Sequence, residues 1–127
     1  MSVWVVLSVV ACGGAATVIR YLVSRAWPVR HVWGGRGRLA GGVLVVNVVG
    51  SALGGVVLGL AERAAISADL QLVLLTGVCG GLTTFSTWSV ETIELVSRGR
   101  WRSALLNAGL TLALGAGVCT LGYLLTR

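Results

Sequence analysis

Gly80-Gly-Leu-Thr-Thr-Phe-Ser-Thr-Trp-Ser-Val-Glu91 sets eight glycine, hydroxyl or acidic positions in the middle of an otherwise apolar chain. Such a stretch cannot rest against lipid, because each unsatisfied polar group in hydrocarbon costs several kcal/mol, on the order of an unmade hydrogen bond. It is expected to line a cavity or a protein interface, and function is sought there.

The flanking sequence supplies the membrane context. Of 127 residues, 56% are hydrophobic and 11% charged, and the mean hydropathy is +0.92. Four apolar spans are read at about 3–24, 39–60, 70–97 with an interruption near 77–84, and 101–125, each near the roughly 20 residues that cross a bilayer. The expected fold is an all-α membrane protein, one four-helix domain over residues 1–127 with its third helix broken. Val9-Val-Ala-Cys12 has the look of a lipoprotein cleavage box, but no basic residue precedes Arg20 and the apolar run continues past the cysteine, so the span reads as a retained helix.

All ten basic residues are arginine. Arg25, Arg30, Arg36 and Arg38 fall in the first connection and Arg98, Arg100 and Arg102 in the third; Arg63 and Arg127 lie on the opposite side, and Arg20 is inside the first span. The positive-inside rule then puts the first and third connections in the cytoplasm and both termini outside. The loop from Arg30 to Arg38 is read as meeting anionic lipid, and no nucleic-acid partner is expected.

Cys12, Cys79 and Cys119 are odd in number, lie in apolar spans and lack metal-ligand spacing, so they read as small buried hydrophobes. His31 is alone in a loop. The 19 glycines are more informative: Gly50/Gly54, Gly55/Gly59 and Gly77/Gly81 are small-xxx-small pairs that let helix backbones approach. Four helices do not readily enclose a polar pathway, which points to an oligomer carrying one at its interface.

Polar residues within the spans fall on shared faces: Asn47 with Ser51, Thr84 with Trp88 and Glu91, and Asn107 with Thr111. Each pair alone reads as interhelical glue. Three such faces together read as a lined path, and donors with few buried carboxylates suit an anion. Arg20 adds positive potential there, or snorkels or pairs with a carboxylate.

These residues carry a resemblance. The segment Gly80–Glu91 resembles the third-helix motif GGxTTFSTFSxE of the Fluc/CrcB fluoride channels, Val46-Asn47-Val-Val-Gly50-Ser51 resembles their second-helix VNxxGS, and Arg20-Tyr21 after a glycine-rich run resembles the end of their first helix. The resemblance covers all four spans. It implies a dual-topology family: an antiparallel dimer with two fluoride pores at its interface and a structural sodium ion at its centre. Matched by motif position, the sodium would be held by the backbone carbonyls of Gly80 and Thr83. Asn47, Phe85, Ser86, Thr87 and Trp88 would border the fluoride path, joined by Asn107 and Thr111 on the fourth helix, with Arg20 and Glu91 near a vestibule or pore mouth.

The chain departs from that pattern at Trp88, where a second phenylalanine is expected, at Asn107 and Gly115, where the fourth-helix track has hydroxyls, and at Val43, commonly threonine. The indole is expected to add an N–H donor as well as bulk, and one of the two pores to be altered or closed. The function these residues imply is passive, fluoride-selective export, with no catalytic base, nucleophile or nucleotide site. Two alternatives stand beside it: a non-conducting structural or assembly subunit, and a small multidrug transporter, which would need a first-helix carboxylate where this chain has Arg20 and no acid before Glu62.

Overall fold

The computed structural model describes residues 2–27, 30–32, 37–39 and 41–127, with the backbone alone for 30–32 and 37–39. Helix α1 (Val3–Ala26) begins at Ser2, whose Oγ accepts the Trp4 N–H at 3.3 Å, and ends just before Pro28, which has no N–H to continue the ladder. Strands β1 (Arg30–Val32) and β2 (Gly37–Leu39) pair antiparallel with His31 opposite Arg38, a small hairpin in the first connection that apolar periodicity gives no sign of. Arg36 and the side chains of Arg30, His31 and Arg38, on which the lipid-facing reading of that loop rests, lie outside the described residues.

Helix α2 (Gly41–Glu62) leads through a left-handed residue, Ala64 at φ 53°, to α3 (Ala68–Leu72), capped by Ser67 Oγ on the Leu70 N–H at 3.2 Å. The third span continues as a π-helical stretch, Val73–Cys79, then α4 (Gly80–Leu82), and after an opening at Thr83 and Thr84 as α5 (Phe85–Ser97). Gly99, at φ +70°, turns the chain into α6 (Trp101–Thr126). The four spans Val3–Ala26, Gly41–Glu62, Ala68–Ser97 and Trp101–Thr126 are all long and apolar enough to cross a membrane. At 1.5 Å per residue even the 22-residue second span reaches about 33 Å, more than the hydrocarbon thickness.

Glycine sets the packing. Helix α2 lies along α6: a Cβ at Gly55 would come within 2.7 Å of the Cys119 carbonyl carbon, one at Gly59 within 2.7 Å of the Tyr123 oxygen, and one at Gly122 within 2.9 Å of the Ala52 oxygen. Helix α1 lies against the π-helical stretch and α4 in the same way, Gly77 facing the Val9 carbonyl and Gly81 the backbone of Gly13. Such contacts replace the hydrophobic drive that lipid removes. Ala16, Val46 and Leu82 form the small apolar centre, while Trp4, Ile19, Leu114 and Leu125 point outward, as lipid-facing side chains do. Away from the arginine-rich connections, the Tyr123 hydroxyl donates to Glu62 and Arg63 Nη1 to the Thr126 carbonyl at 3.4 Å, tying the end of α2 to the end of α6.

Candidate functional site at the helix break

At Thr83 (φ −85°, ψ 156°) and Thr84 (φ −146°, ψ 116°) the third span becomes extended for two residues. In an unbroken helix the Thr84 N–H would reach the Gly80 carbonyl and the Thr87 N–H the Thr83 carbonyl. Here the Thr84 N–H donates to Asn47 Oδ1 at 2.7 Å, and the Thr87 N–H to Thr84 Oγ1 at 3.2 Å, an N-cap for α5. Asn47 Nδ2 returns a bond to the Thr84 carbonyl at 3.2 Å. Helix α1 reaches the same place, with Arg20 Nη1 on the Thr83 carbonyl at 3.4 Å and Thr17 Oγ1 on the Gly81 carbonyl at 3.3 Å. Gly50 leaves room for the Thr83 methyl, so α2 can come this close.

Beside the break an open groove of about 390 Å³ runs between α2, α5 and α6. Asn47 and Ser51 form one wall, Thr83, Thr84, Phe85 and Trp88 a second, Thr111, Leu112 and Gly115 a third. Phe85 is 77% exposed and packs its ring against Trp88, with centroids 5.3 Å apart and planes tilted by 46°. Thr84 Oγ1 gathers the hydroxyls of Ser86 and Thr87 at 3.4 and 3.0 Å, and both of these residues are exposed on the first turn of α5.

The structure thus brings Asn47, Phe85, Trp88 and Thr111 to one groove, with Ser86 and Thr87 outside its lining at the start of α5. Asn107 lies elsewhere. Only 2% exposed, it donates from Nδ2 to Thr92 Oγ1 at 3.0 Å and holds α6 to α5. Its carbonyl accepts the Thr111 hydroxyl at 2.7 Å and the Trp88 indole N–H at 3.4 Å. The N–H donor that the indole adds is therefore taken up by the backbone of α6. Arg20 neither snorkels nor meets a carboxylate among the described residues; it is half-buried against the break. Glu91, two turns along α5, has one carboxylate oxygen buried without a hydrogen-bond partner among the described residues. Gly80 is exposed at the start of α4, and its carbonyl has lost the Thr84 donor.

Ser51 lines the groove as well, marked in the sequence by its helical spacing from Asn47 and by the second-helix motif it closes. A Cβ at Gly115 would fall 3.2 Å from Ser51 Oγ, so the serine hydroxyl stands where a side chain at position 115 would otherwise reach. Thr17 carried no sequence signal, since a lone threonine in a first helix has no motif around it.

Residues 7–123 match the family model described as "CrcB-like protein, Camphor Resistance (CrcB)". The "Fluoride-specific ion channel FluC" of Shewanella sp. (strain W3-18-1) is 41% identical over 109 residues, 86% of this chain and 85% of the relative. The "Fluoride-specific ion channel FluC 2" of Prochlorococcus marinus (strain MIT 9313) is 51% identical over 82 residues, 65% of this chain and 63% of that protein. A further "Fluoride-specific ion channel FluC 2", from Synechococcus sp. (strain CC9902), is 38% identical over 118 residues, 92% of this chain and 76% of the relative. Since the family match runs from the second turn of α1 to near the end of α6 and takes in the whole helix break, the chain belongs to the CrcB family.

Proposed function

We propose that this chain is a subunit of a fluoride-selective channel that lets cytoplasmic fluoride leave the cell passively and so limits its toxicity. The observation that carries the reading is the groove at the break: hydroxyl, carboxamide and aromatic-edge groups on three helices face an opening that a single subunit leaves unclosed. The names of the relatives support fluoride as the ion. Exposed Ser86 and Thr87 at membrane depth support a second subunit over that face, because hydroxyls and an open groove are poor neighbours for lipid. The partner is a homologous subunit in the opposite orientation, or a second copy of this chain.

Fluoride is compact and strongly hydrated, so a path must replace its water with several close donors. Asn47 keeps one of its two amide hydrogens after bonding Thr84. Ser51, Ser86 and Thr87 supply hydroxyls, while the Thr111 proton is held by the Asn107 carbonyl, and the Phe85 ring offers an electropositive edge. Chloride, larger and more weakly hydrated, gains less from the same donors in a narrow space. Hydrogen fluoride crosses bilayers neutral and dissociates inside, and a negative interior drives the anion out by roughly 2.3 kcal/mol per charge for each 100 mV. No chemical step is needed, and the protein is a channel subunit, not an enzyme.

A structural sodium ion fits the donor set at the break. The Gly80 and Thr83 carbonyls have both lost their helical donors, and each carbonyl oxygen has two lone pairs, of which Arg20 takes one on Thr83. Two hard oxygens from each subunit would hold the ion, which would supply positive charge that draws two facing breaks together.

Efflux from vesicles reconstituted with this chain, alone and with a homologous partner, tests the reading: under an imposed potential fluoride should leave at least the vesicles that hold the pair, and chloride should leave neither. Equal chloride flux overturns it. A second reading, a non-conducting assembly subunit, is favoured by the inward turn of Asn107 and of the Trp88 N–H, and predicts no flux in either preparation.

A further inference from the structure

A single peptide unit, Thr83–Thr84, is gripped at both ends by different helices. Arg20 of α1 holds its carbonyl at 3.4 Å, and Asn47 of α2 accepts its N–H at 2.7 Å. One turn before Arg20, and on the same face of α1, Thr17 holds the Gly81 carbonyl at 3.3 Å. An unbroken helix would serve those two carbonyls with the N–H groups of Phe85 and Thr87. The Thr87 N–H is turned to Thr84 Oγ1, and the extended backbone at Thr83 and Thr84 interrupts the ladder. Close packing sets the approach of α1 here, since a Cβ at Gly81 would lie 3.0 Å from the Ala16 methyl.

Two costs meet at this contact. An arginine inside a span needs a partner, and none of the carboxylates among the described residues provides one. A carbonyl released at a helix break needs a donor. We propose that Arg20, seconded by Thr17, is a positioning residue: it takes over the carbonyls released at the break and fixes the orientation of the Thr83–Thr84 peptide opposite Asn47. Its guanidinium acts on the backbone, and the positive charge it brings to an approaching anion is secondary. The orientation of that peptide sets where α5 starts and hence where Phe85 and the Thr84 hydroxyl point.

The sequence makes this peptide separately observable. Thr83–Thr84 is the only threonine pair in the chain, so threonine labelled with ¹³C at the carbonyl and ¹⁵N at the amide gives one carbonyl-to-nitrogen correlation by solid-state NMR of the full chain in lipid. In the wild type, with arginine side chains also ¹⁵N-labelled, the Thr83 carbonyl should show dipolar coupling to an arginine Nη. Arg20→Met should move that carbonyl upfield, and Arg20→Gln, a neutral donor, should bring it back toward the wild-type position. At equal dimer content, fluoride flux should follow the donor, with Arg20→Gln above Arg20→Met. Absence of the coupling in the wild type, an unmoved carbonyl in Arg20→Met, or flux retained by Arg20→Lys but lost equally in the Gln and Met variants each overturns the proposal. The wild-type measurement decides it even where a variant fails to assemble, and the NMR readout stands whether or not the chain conducts fluoride.

Discussion

Asn47 and Thr84 are joined by a pair of hydrogen bonds, the side-chain Oδ1 receiving the backbone N–H at 2.7 Å and Nδ2 donating to the backbone carbonyl of the same residue at 3.2 Å. The carboxamide thus does for Thr84 what a neighbouring strand would do: it satisfies both backbone groups of an extended residue at a depth where water does not. Few side chains offer a donor and an acceptor side by side. That is the physical reason for an asparagine here, apart from any contact it makes with an ion.

Replacing Asn47 by leucine leaves a donor and an acceptor unsatisfied, at about 1–3 kcal/mol each. Asn47→Leu should therefore lower the thermal unfolding temperature of the purified protein. Asn47→Asp keeps the acceptor for the Thr84 N–H but removes the donor and adds a repelling charge beside the groove. It should cut fluoride efflux more than tenfold while leaving the dimer intact by size-exclusion chromatography. A leucine variant that melts with the wild type would show the clamp to be without consequence.

The glycines divide by what a methyl would meet. Gly55 faces the Cys119 backbone across α2 and α6, whereas no atom lies within 4 Å of a Cβ on Gly14 in α1. Gly55→Ala is expected to cost about 1–3 kcal/mol through overpacking. Gly14→Ala should be neutral or gain up to about 1 kcal/mol from helix propensity. Thermal unfolding of the two variants in one detergent should move them in opposite directions, or at least separate them by several degrees; equal behaviour would contradict the close contact between α2 and α6.

Trp88 is the departure whose consequence the structure alters. Its indole N–H bonds the Asn107 carbonyl at 3.4 Å, and that carbonyl keeps the stronger Thr111 bond at 2.7 Å when the indole is removed. Trp88→Phe should accordingly cost no more than about 1 kcal/mol in stability. It should hold or raise fluoride flux by widening the groove beside Phe85, with selectivity over chloride unchanged. Loss of flux in a stable Trp88→Phe protein would mean that the indole itself lines the path.

The four spans were legible because hydropathy reports directly on the need for every backbone group to be satisfied within a helix; their ends in the structure lie within about two residues of those read from the sequence, inside the usual uncertainty of helix boundaries. The break was harder to place. The interruption expected near 77–84 narrows to its far end, since the chain stays helical to Leu82 and opens at Thr83 and Thr84. Gly77 and Gly81 serve the approach of α1, as their small-xxx-small spacing led one to expect. Asn107 and Thr111 share a face as their spacing requires, but spacing does not tell a face turned to a groove from one turned to α5, and the Thr92 partner that settles it is 15 residues away. The direction of the Trp88 N–H was not legible for the same reason.

The last expectation concerns orientation. Seven arginines lie in or beside the first and third connections, against Arg63 and Arg127 on the other side. The contact of β2 with α6 shows the first connection lying beside α6, which starts directly after the third, so the two meet at one end of the bundle. At the other end only Arg63 and Arg127 stand to oppose the bias, two charges against seven. A dual-topology subunit needs a near-even balance; this one should insert one way, with its termini outside, and pair with a homologous subunit of opposite bias. That partner would supply the phenyl ring and hydroxyls that Trp88, Asn107 and Gly115 do not. Single cysteines at each terminus, in a background lacking Cys12, Cys79 and Cys119, should be labelled from outside only when the chain is expressed alone, and the lone chain should conduct poorly. Equal labelling from both sides together with fluoride flux from the lone chain would establish an ordinary dual-topology homodimer instead.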